Sequence, residues 1–196
     1  PIEWYRHFVL EQRFGFNRMT PRLFVADTLE GAAIAAVLGL PLLALVLWLM
    51  RSAGSLWWLW AWGAWAAFNL GVLLIYPAVI APVFNRFEPL QDAALRARVE
   101  ALLARCGFAS KGLFVMDGSR RSAHGNAYFT GFGRSKRIVF FDTLLSRLDA
   151  DEIEAVLAHE LGHFHHRHVP RRIALMLAAS LAGLWLLGWL SGQGWF

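Results

Sequence analysis

The chain is poor in three things. It has one cysteine, Cys106, in 196 residues. No internal disulfide can form, which excludes a stapled secreted scaffold and agrees with a reducing compartment. It is poor in charge: 17% of residues are charged and 57% hydrophobic, which is apolar-rich for a water-soluble domain. It also has no Asp or Glu after Glu160. The shortage of charge is concentrated in blocks. Gly31 to Met50, Leu56 to Pro82 and Ile173 to Phe196 hold no charged residue. Each can cover the roughly 20 residues that a helix needs to cross a bilayer. Three such runs are hard to bury in so short a chain, so we read them as membrane helices and not as a soluble core. Ten tryptophans, many near the run ends, fit aromatic belts at a membrane surface. The first run is no signal peptide: a long arm precedes it and no small-residue cleavage pattern follows.

Net charge is +5, yet of the 19 Lys and Arg only Arg51 lies between Leu29 and Pro82. Two crossings return the chain to one side, so the arm and the middle segment share a compartment. The positive-inside rule makes that side cytoplasmic. The basic balance therefore needs no nucleic acid partner, and no nucleic-acid-binding pattern accompanies it. The chain opens on Pro1 without an initiator Met. With no late carboxylate either, we expect an internal piece of a longer protein, truncated at both ends.

The pattern predicts a cytoplasmic-side arm over 1–28 and a transmembrane helical hairpin over 29–82 that turns at Arg51 to Ser55. A domain follows over 83–170, then a transmembrane helix over 171–196. Pro41 is placed to kink the first helix. Asn69, the lone strongly polar residue of the second, is expected to bond across to another helix and not to line a cavity. In the middle segment, Leu95, Val99, Leu102 and Leu103 recur at helical spacing. They predict an amphipathic helix from Asp92 to Cys106, ended by Gly107. Gly112 to Met116, Asn126 to Phe132 and Arg137 to Phe141 read as strands, the last two as a hairpin.

What the chain does have is His159-Glu160-Leu161-Gly162-His163. Residues four apart share a helix face, so His159 and His163 can converge on one metal ion, with Glu160 beside them as general base. Neutral imidazoles at this spacing suit Zn2+. Asp149 is the expected N-cap of this helix, with Glu152 completing a capping box. Pro170 is expected to end or bend the helix. Glu152 lies roughly 10 Å along the axis from His159, too far to share its metal; capping suits Glu152 and solvation suits Glu154. His165, His166 and His168 read as a basic, solvated helix end. A metzincin needs Gly three residues and His six residues after the second motif His, but His166 and Val169 stand there. A zinc site of the two-His-one-Glu type needs a downstream carboxylate, which this chain does not contain. The stretch from Arg120 to Gly131 could form a sheet edge that pairs with an extended substrate. From the strand pattern alone, an ordinary hairpin strand is the preferred reading.

Together these residues resemble the type I CAAX prenyl endopeptidases, which are integral-membrane gluzincins. Four stretches carry the resemblance: Glu11 to Asn17 with Asp27; Pro82 to Asn85 with Phe87, Pro89 and Leu90; His124 to Tyr128 with Gly131; and Glu154 to Leu157 leading into the motif. They span nearly the whole chain in the expected order. The resemblance implies a mainly α, multi-pass membrane protein, with transmembrane helices plus a small α+β zincin-like domain holding a short β-sheet. It implies one Zn2+ ion on His159 and His163, Glu160 as base, and a third ligand, a Glu, on a later helix outside this chain. Asn126 and Ala127 would contact substrate backbone, with His124 and Gly131 near the cleft. The implied partners are the lipid bilayer and a peptide or protein substrate, prenylated CAAX proteins among them. In a bacterium the membrane would be the inner one and the role quality control; in a eukaryote it would be that of the endoplasmic reticulum. An HtpX-like membrane protease is the alternative within the enzyme class, against which the Glu11 to Asn17 arm argues. A catalytically silent peptide-binding scaffold is the alternative outside it, against which the intact Glu160 argues.

Overall fold

The computed structural model describes residues 2–130, 136–165 and 168–193, with backbone alone at 163–165 and 168. The chain forms two compact units, one of Pro1–Asp27 with Tyr76–His165, the other of Thr28–Ile75 with His166–Phe196. The described elements, in order, are α1 (Ile2–Tyr5), α2 (Pro21–Ser52), α3 (Trp57–Ile75), α4 (Ala81–Phe84), β1 (Phe87–Pro89), α5 (Ala93–Arg105), β2 (Leu113–Met116), β3 (Ala127–Thr130), β4 (Arg137–Phe141), α6 (Asp142–Leu145), α7 (Ala150–His165) and α8 (His168–Leu190).

The second unit is helical. Among the described residues, three helical stretches are long and apolar enough to cross a membrane: Pro21–Ser52, Gly54–Phe84 and Val169–Leu190. Their large apolar side chains face outward; Val37 is 71% exposed and Leu175 72%. A surface this apolar is stable against lipid and not against water. Within the unit α3 packs on α8. The Trp62 indole N–H donates to the Leu177 carbonyl at 3.1 Å. Gly188 makes the approach close: a Cβ there would stand 2.4 Å from Trp58 Cδ1. Small residues at helix contacts do this in membranes generally. Asn69 corrects the sequence expectation. Its amide donates to the Trp65 carbonyl one turn back, at 2.8 Å, so it is satisfied within its own helix. Pro41 lies inside α2 without ending it.

The first unit holds a four-stranded sheet in the order β1-β2-β4-β3. β1 and β2 are antiparallel, β2 and β4 parallel, and β3 and β4 antiparallel. Side chains alternate across the faces. Leu113, Ala127, Ile138 and Phe140 enter the core on one face, where Leu95, Val99, Leu102 and Leu103 of α5 and Ile153, Leu157 and Leu161 of α7 meet them. The four apolar positions read from the α5 sequence are thus all buried. Asp92 caps α5, its Oδ1 accepting from the N–H groups of Ala94 and Leu95, and Gly107 ends it at φ 62°. β1 was not legible in the sequence. It is three residues long and contains Pro89, which a sheet tolerates at an edge.

The N-terminal arm belongs to this unit as well. Trp4 and Phe8 pack edge-on against Phe24, with ring centroids 5.3 and 5.7 Å apart. Asn17 bridges to Ser122, and the Ala123 N–H donates to the Phe16 carbonyl at 2.8 Å.

Candidate active site

The motif helix α7 starts as its sequence demands. The Asp149 carboxylate accepts from the N–H groups of Asp151 and Glu152, each at 2.9 Å. Glu152 reaches back to accept the Asp149 N–H at 2.9 Å, which closes the capping box. Glu154 corrects a second expectation. It is paired and not merely solvated: Arg98 of α5 donates to its Oε2 at 3.0 Å and also bonds Asp151. The hydrogen bonds it donates to Asp151, then to Glu154, hold the Arg98 guanidinium above its ordinary range. The described part of the helix runs to His165, and Pro170 stands in the first turn of α8.

Ile153, Leu157 and Leu161 form the buried stripe of α7. His159 is exposed and Glu160 half-buried beside that stripe. Position 163 is on the same helix, one turn beyond His159, so both histidine positions share a face. The side chains of His163, His165, His166 and His168 lie outside the described residues, as does Gly131. Among the described residues no group of three or more His, Cys, Asp or Glu could hold a metal ion. The donor chemistry fits Zn2+ in part: two imidazole-bearing positions at the right spacing, with no later carboxylate in the chain.

β3 is an edge strand, bonded to β4 alone. The Phe141 N–H donates to the Asn126 carbonyl at 2.9 Å, which makes Asn126 and Phe141 a hydrogen-bonded pair. The antiparallel ladder alternates, so Ala127 and Phe129 turn their backbone N–H and C=O away from β4, to the free edge. The Asn126 side chain already sits there, its Oδ1 accepting the Ala127 N–H at 2.8 Å. Asn126 is exposed, while the Ala127 side chain is buried at 2%.

The loop before this strand is held at several points. His124 is exposed and stacks on Phe16, ring centroids 4.1 Å apart and planes 18° apart. Its carbonyl accepts the Thr143 hydroxyl at 2.7 Å. A Cβ on Gly125 would lie 3.3 Å from the Leu144 Cα, so a bulkier residue would push the loop off α6. Asp142 accepts from the backbone of Ser119 and also bonds its hydroxyl. Arg121 is the residue that sequence reasoning missed. Its guanidinium forks onto Asp27 at 2.7 and 2.8 Å and reaches Asn85 Oδ1 at 3.0 Å. It ties the arm, the segment after α4 and the loop into β3 together. The only sequence signal was that Asp27 and Asn85 both fall in the stretches that carry the family resemblance.

Comparison with known proteins identifies the family. The model of peptidase family M48 matches residues 89–194, and that of the CAAX prenyl protease N-terminal region, five membrane helices, matches residues 1–86. A CAAX prenyl protease 1 homolog of Oryza sativa subsp. japonica is 43% identical over 169 residues, which cover 86% of this chain and 40% of that protein. CAAX prenyl protease 1 of Saccharomyces cerevisiae is 42% identical over 178 residues, covering 88% and 38%. The crystal structure of S. mikatae Ste24p superposes with a TM-score of 0.90 at 38% identity, over 96% of this chain and 44% of that one. The chain thus spans about two fifths of the length of these curated relatives. With its membrane helices, capped motif helix and edge strand, the chain belongs to peptidase family M48, with an N-terminal region of the CAAX prenyl protease type.

Proposed function

We propose that this chain is the central part of a membrane-embedded zinc metalloendopeptidase that hydrolyses peptide bonds near substrate C-termini. One observation carries the reading: the unit that holds the HExxH helix α7 also holds an edge strand, β3, with its outer backbone groups turned to the open side. An endopeptidase needs both. The strand holds an extended substrate by main-chain hydrogen bonds, and the helix supplies the chemistry. The names of the relatives favour CAAX-type processing of prenylated proteins over general membrane-protein quality control.

In this reading Ala127 and Phe129 pair with the substrate backbone. The Asn126 side chain, which covers the Ala127 N–H, moves over to the incoming chain. Gly131 and the His124 loop flank the cleft. His159 and His163 are two of three protein ligands for Zn2+, the third being a Glu beyond this chain. The bound ion supplies Lewis-acid polarisation of the scissile carbonyl. Glu160 takes a proton from the attacking water and passes it to the leaving amine nitrogen, so the peptide C–N bond breaks without a free amide anion. The charge asymmetry around the spans supports a cytoplasmic site.

The test is a pair of substitutions in the full-length protein. Glu160→Gln is expected to abolish turnover and keep zinc, since Glu160 is no ligand. His159→Ala is expected to lose both. Turnover by the Gln variant, or loss of its metal, would overturn these roles.

A further inference from the structure

The sheet has a second face, which neither the core nor the motif helix uses. On it lie Phe114 of β2, Arg137 and Val139 of β4, and Tyr128 and Thr130 of β3, each one residue out of phase with the core positions. A cavity of about 170 Å³ opens over this face, bounded on its other side by Tyr76, Pro77, Ala81 and their neighbours. Those residues form the last turns of the Gly54–Phe84 stretch, which is apolar enough to lie in a bilayer. The cavity is thus lined partly by a membrane-spanning segment and partly by the sheet.

Its polar side chains are three hydroxyls and one cation, none of them anionic, and the Tyr128 hydroxyl donates to Met116 Sδ at 3.8 Å. Arg137 is half-buried, its guanidinium 5.5 Å from the centre of the Phe114 ring. Among the described residues no carboxylate lies within ion-pair distance of it. Burial pushes the Tyr128 phenol up to about 12, so it stays a protonated donor at any cellular pH. The Thr130 hydroxyl and the Tyr76 phenol belong to the same lining. A half-buried cation without a counter-ion, beside an apolar slot at the end of a membrane helix, calls for a ligand with an anionic head and a hydrocarbon chain. Basic pockets beside membrane helices on the cytoplasmic side recognise lipid head groups in this way. The volume holds on the order of six water-sized groups, enough for the first carbons of one chain and not for a whole lipid.

We propose that this cavity binds an anionic phospholipid of the surrounding bilayer, with its phosphate at Arg137 and the start of one acyl chain in the slot beneath Tyr128. The lipid neutralises Arg137 and fills the space between the sheet and the last turns of the Gly54–Phe84 stretch.

Native mass spectrometry of the detergent-purified full-length protein tests this. The delipidated protein is titrated with dioleoyl phosphatidylglycerol or dioleoyl phosphatidylcholine. One phosphatidylglycerol is expected to bind about fivefold more tightly than phosphatidylcholine, the scale of one Arg beside an anionic lipid. Arg137→Gln should erase that preference and Arg137→Lys should keep it. Arg147→Gln, on an exposed loop, should change nothing. Ala81→Leu, which fills the slot from its buried wall, should weaken both lipids. An unchanged preference in Arg137→Gln, or unchanged binding in Ala81→Leu, would overturn the site. Saturation by oleate where phosphatidylglycerol does not bind would overturn the phospholipid assignment. The Lys variant guards against misfolding, because it keeps the charge in place.

Discussion

Arg121→Ala gives the sharpest test of how the site is held. It removes three hydrogen bonds at once, at 2.7 and 2.8 Å to Asp27 and 3.0 Å to Asn85. The side chains of Arg121 and Asp27 are 19% and 18% exposed. The pair is therefore more than a surface ion pair, worth about 0–1 kcal/mol. It is less than a fully buried one, whose breakage costs about 3–5 kcal/mol. We expect a loss of about 2 kcal/mol, in line with bidentate, charge-assisted bonds in a partly wet site. For a protein of this size each kcal/mol moves Tm by roughly 2–4 °C, so the melt should fall by roughly 4–8 °C. Tryptophan fluorescence during heating in detergent reads this directly. Asp27→Ala should cost nearly as much and the double variant little more, with a coupling on the order of 1–2 kcal/mol. Arg121→Lys should recover only part, because an ammonium cannot fork onto a carboxylate. A Tm change below about 1 °C, or strict additivity in the double variant, would refute the clasp.

Three further outcomes follow from particular residues. Ser52 and Ser110 should label from opposite sides of the membrane when each is replaced by Cys in cells; equal labelling by an impermeant reagent would defeat the topology drawn from Arg51 and the basic middle segment. Tyr128 keeps its proton in the fold up to about 12 but loses it near 10.0 when unfolded, so its contribution to stability is full below pH 10 and fades as pH rises through that window. Tyr128→Phe should therefore lose less Tm than the parent between about pH 9 and about pH 11, and equal losses would exclude burial of this phenol. The 196-residue chain by itself should bind zinc weakly and cleave no peptide, because catalytic zinc sites use three protein ligands; tight stoichiometric zinc with cleavage would point to His124, His166 or His168 as an unrecognised ligand.

Much of this was legible because local signals and long-range packing agree. The stripe Leu95, Val99, Leu102 and Leu103 is buried as its spacing requires. Asp149 and Glu152 cap α7 because the two side chains need only each other's backbone. Each of the three charge-free runs holds a long helix because a bilayer offers the backbone no other partner. What escaped was non-local. The parallel pairing of β2 with β4 joins residues about two dozen positions apart, and no local pattern encodes it. β1 is too short and too proline-marked to read. Asn69 misled because a polar side chain in an apolar helix can reach its own backbone as easily as a neighbour. Glu154 looked solvated because Arg98 comes from another helix. Arg121 escaped for the same reason, its partner Asp27 lying 94 residues away.

The core also sets where the chemistry points. Residues advance by about 100° along a helix. With Leu161 buried at 6% and Leu157 at 0%, His159 falls about 160° from Leu161, on the opposite face. Position 163 falls about 160° from it the other way, so the two histidine positions lie about 40° apart. Glu160 precedes Leu161 by one residue and sits about 100° round, at the boundary between core and open face, where it is half-buried. His159 therefore faces outward because the leucines face inward, and Glu160 stands at the shoulder of the same helix. Any change that rotated α7 to repack Leu157 would carry both histidine positions and Glu160 with it. The capping box and the Arg98 pair with Glu154 resist that rotation from the N-terminal end. In this protein the orientation of the candidate site follows from the burial of residues that never touch a substrate.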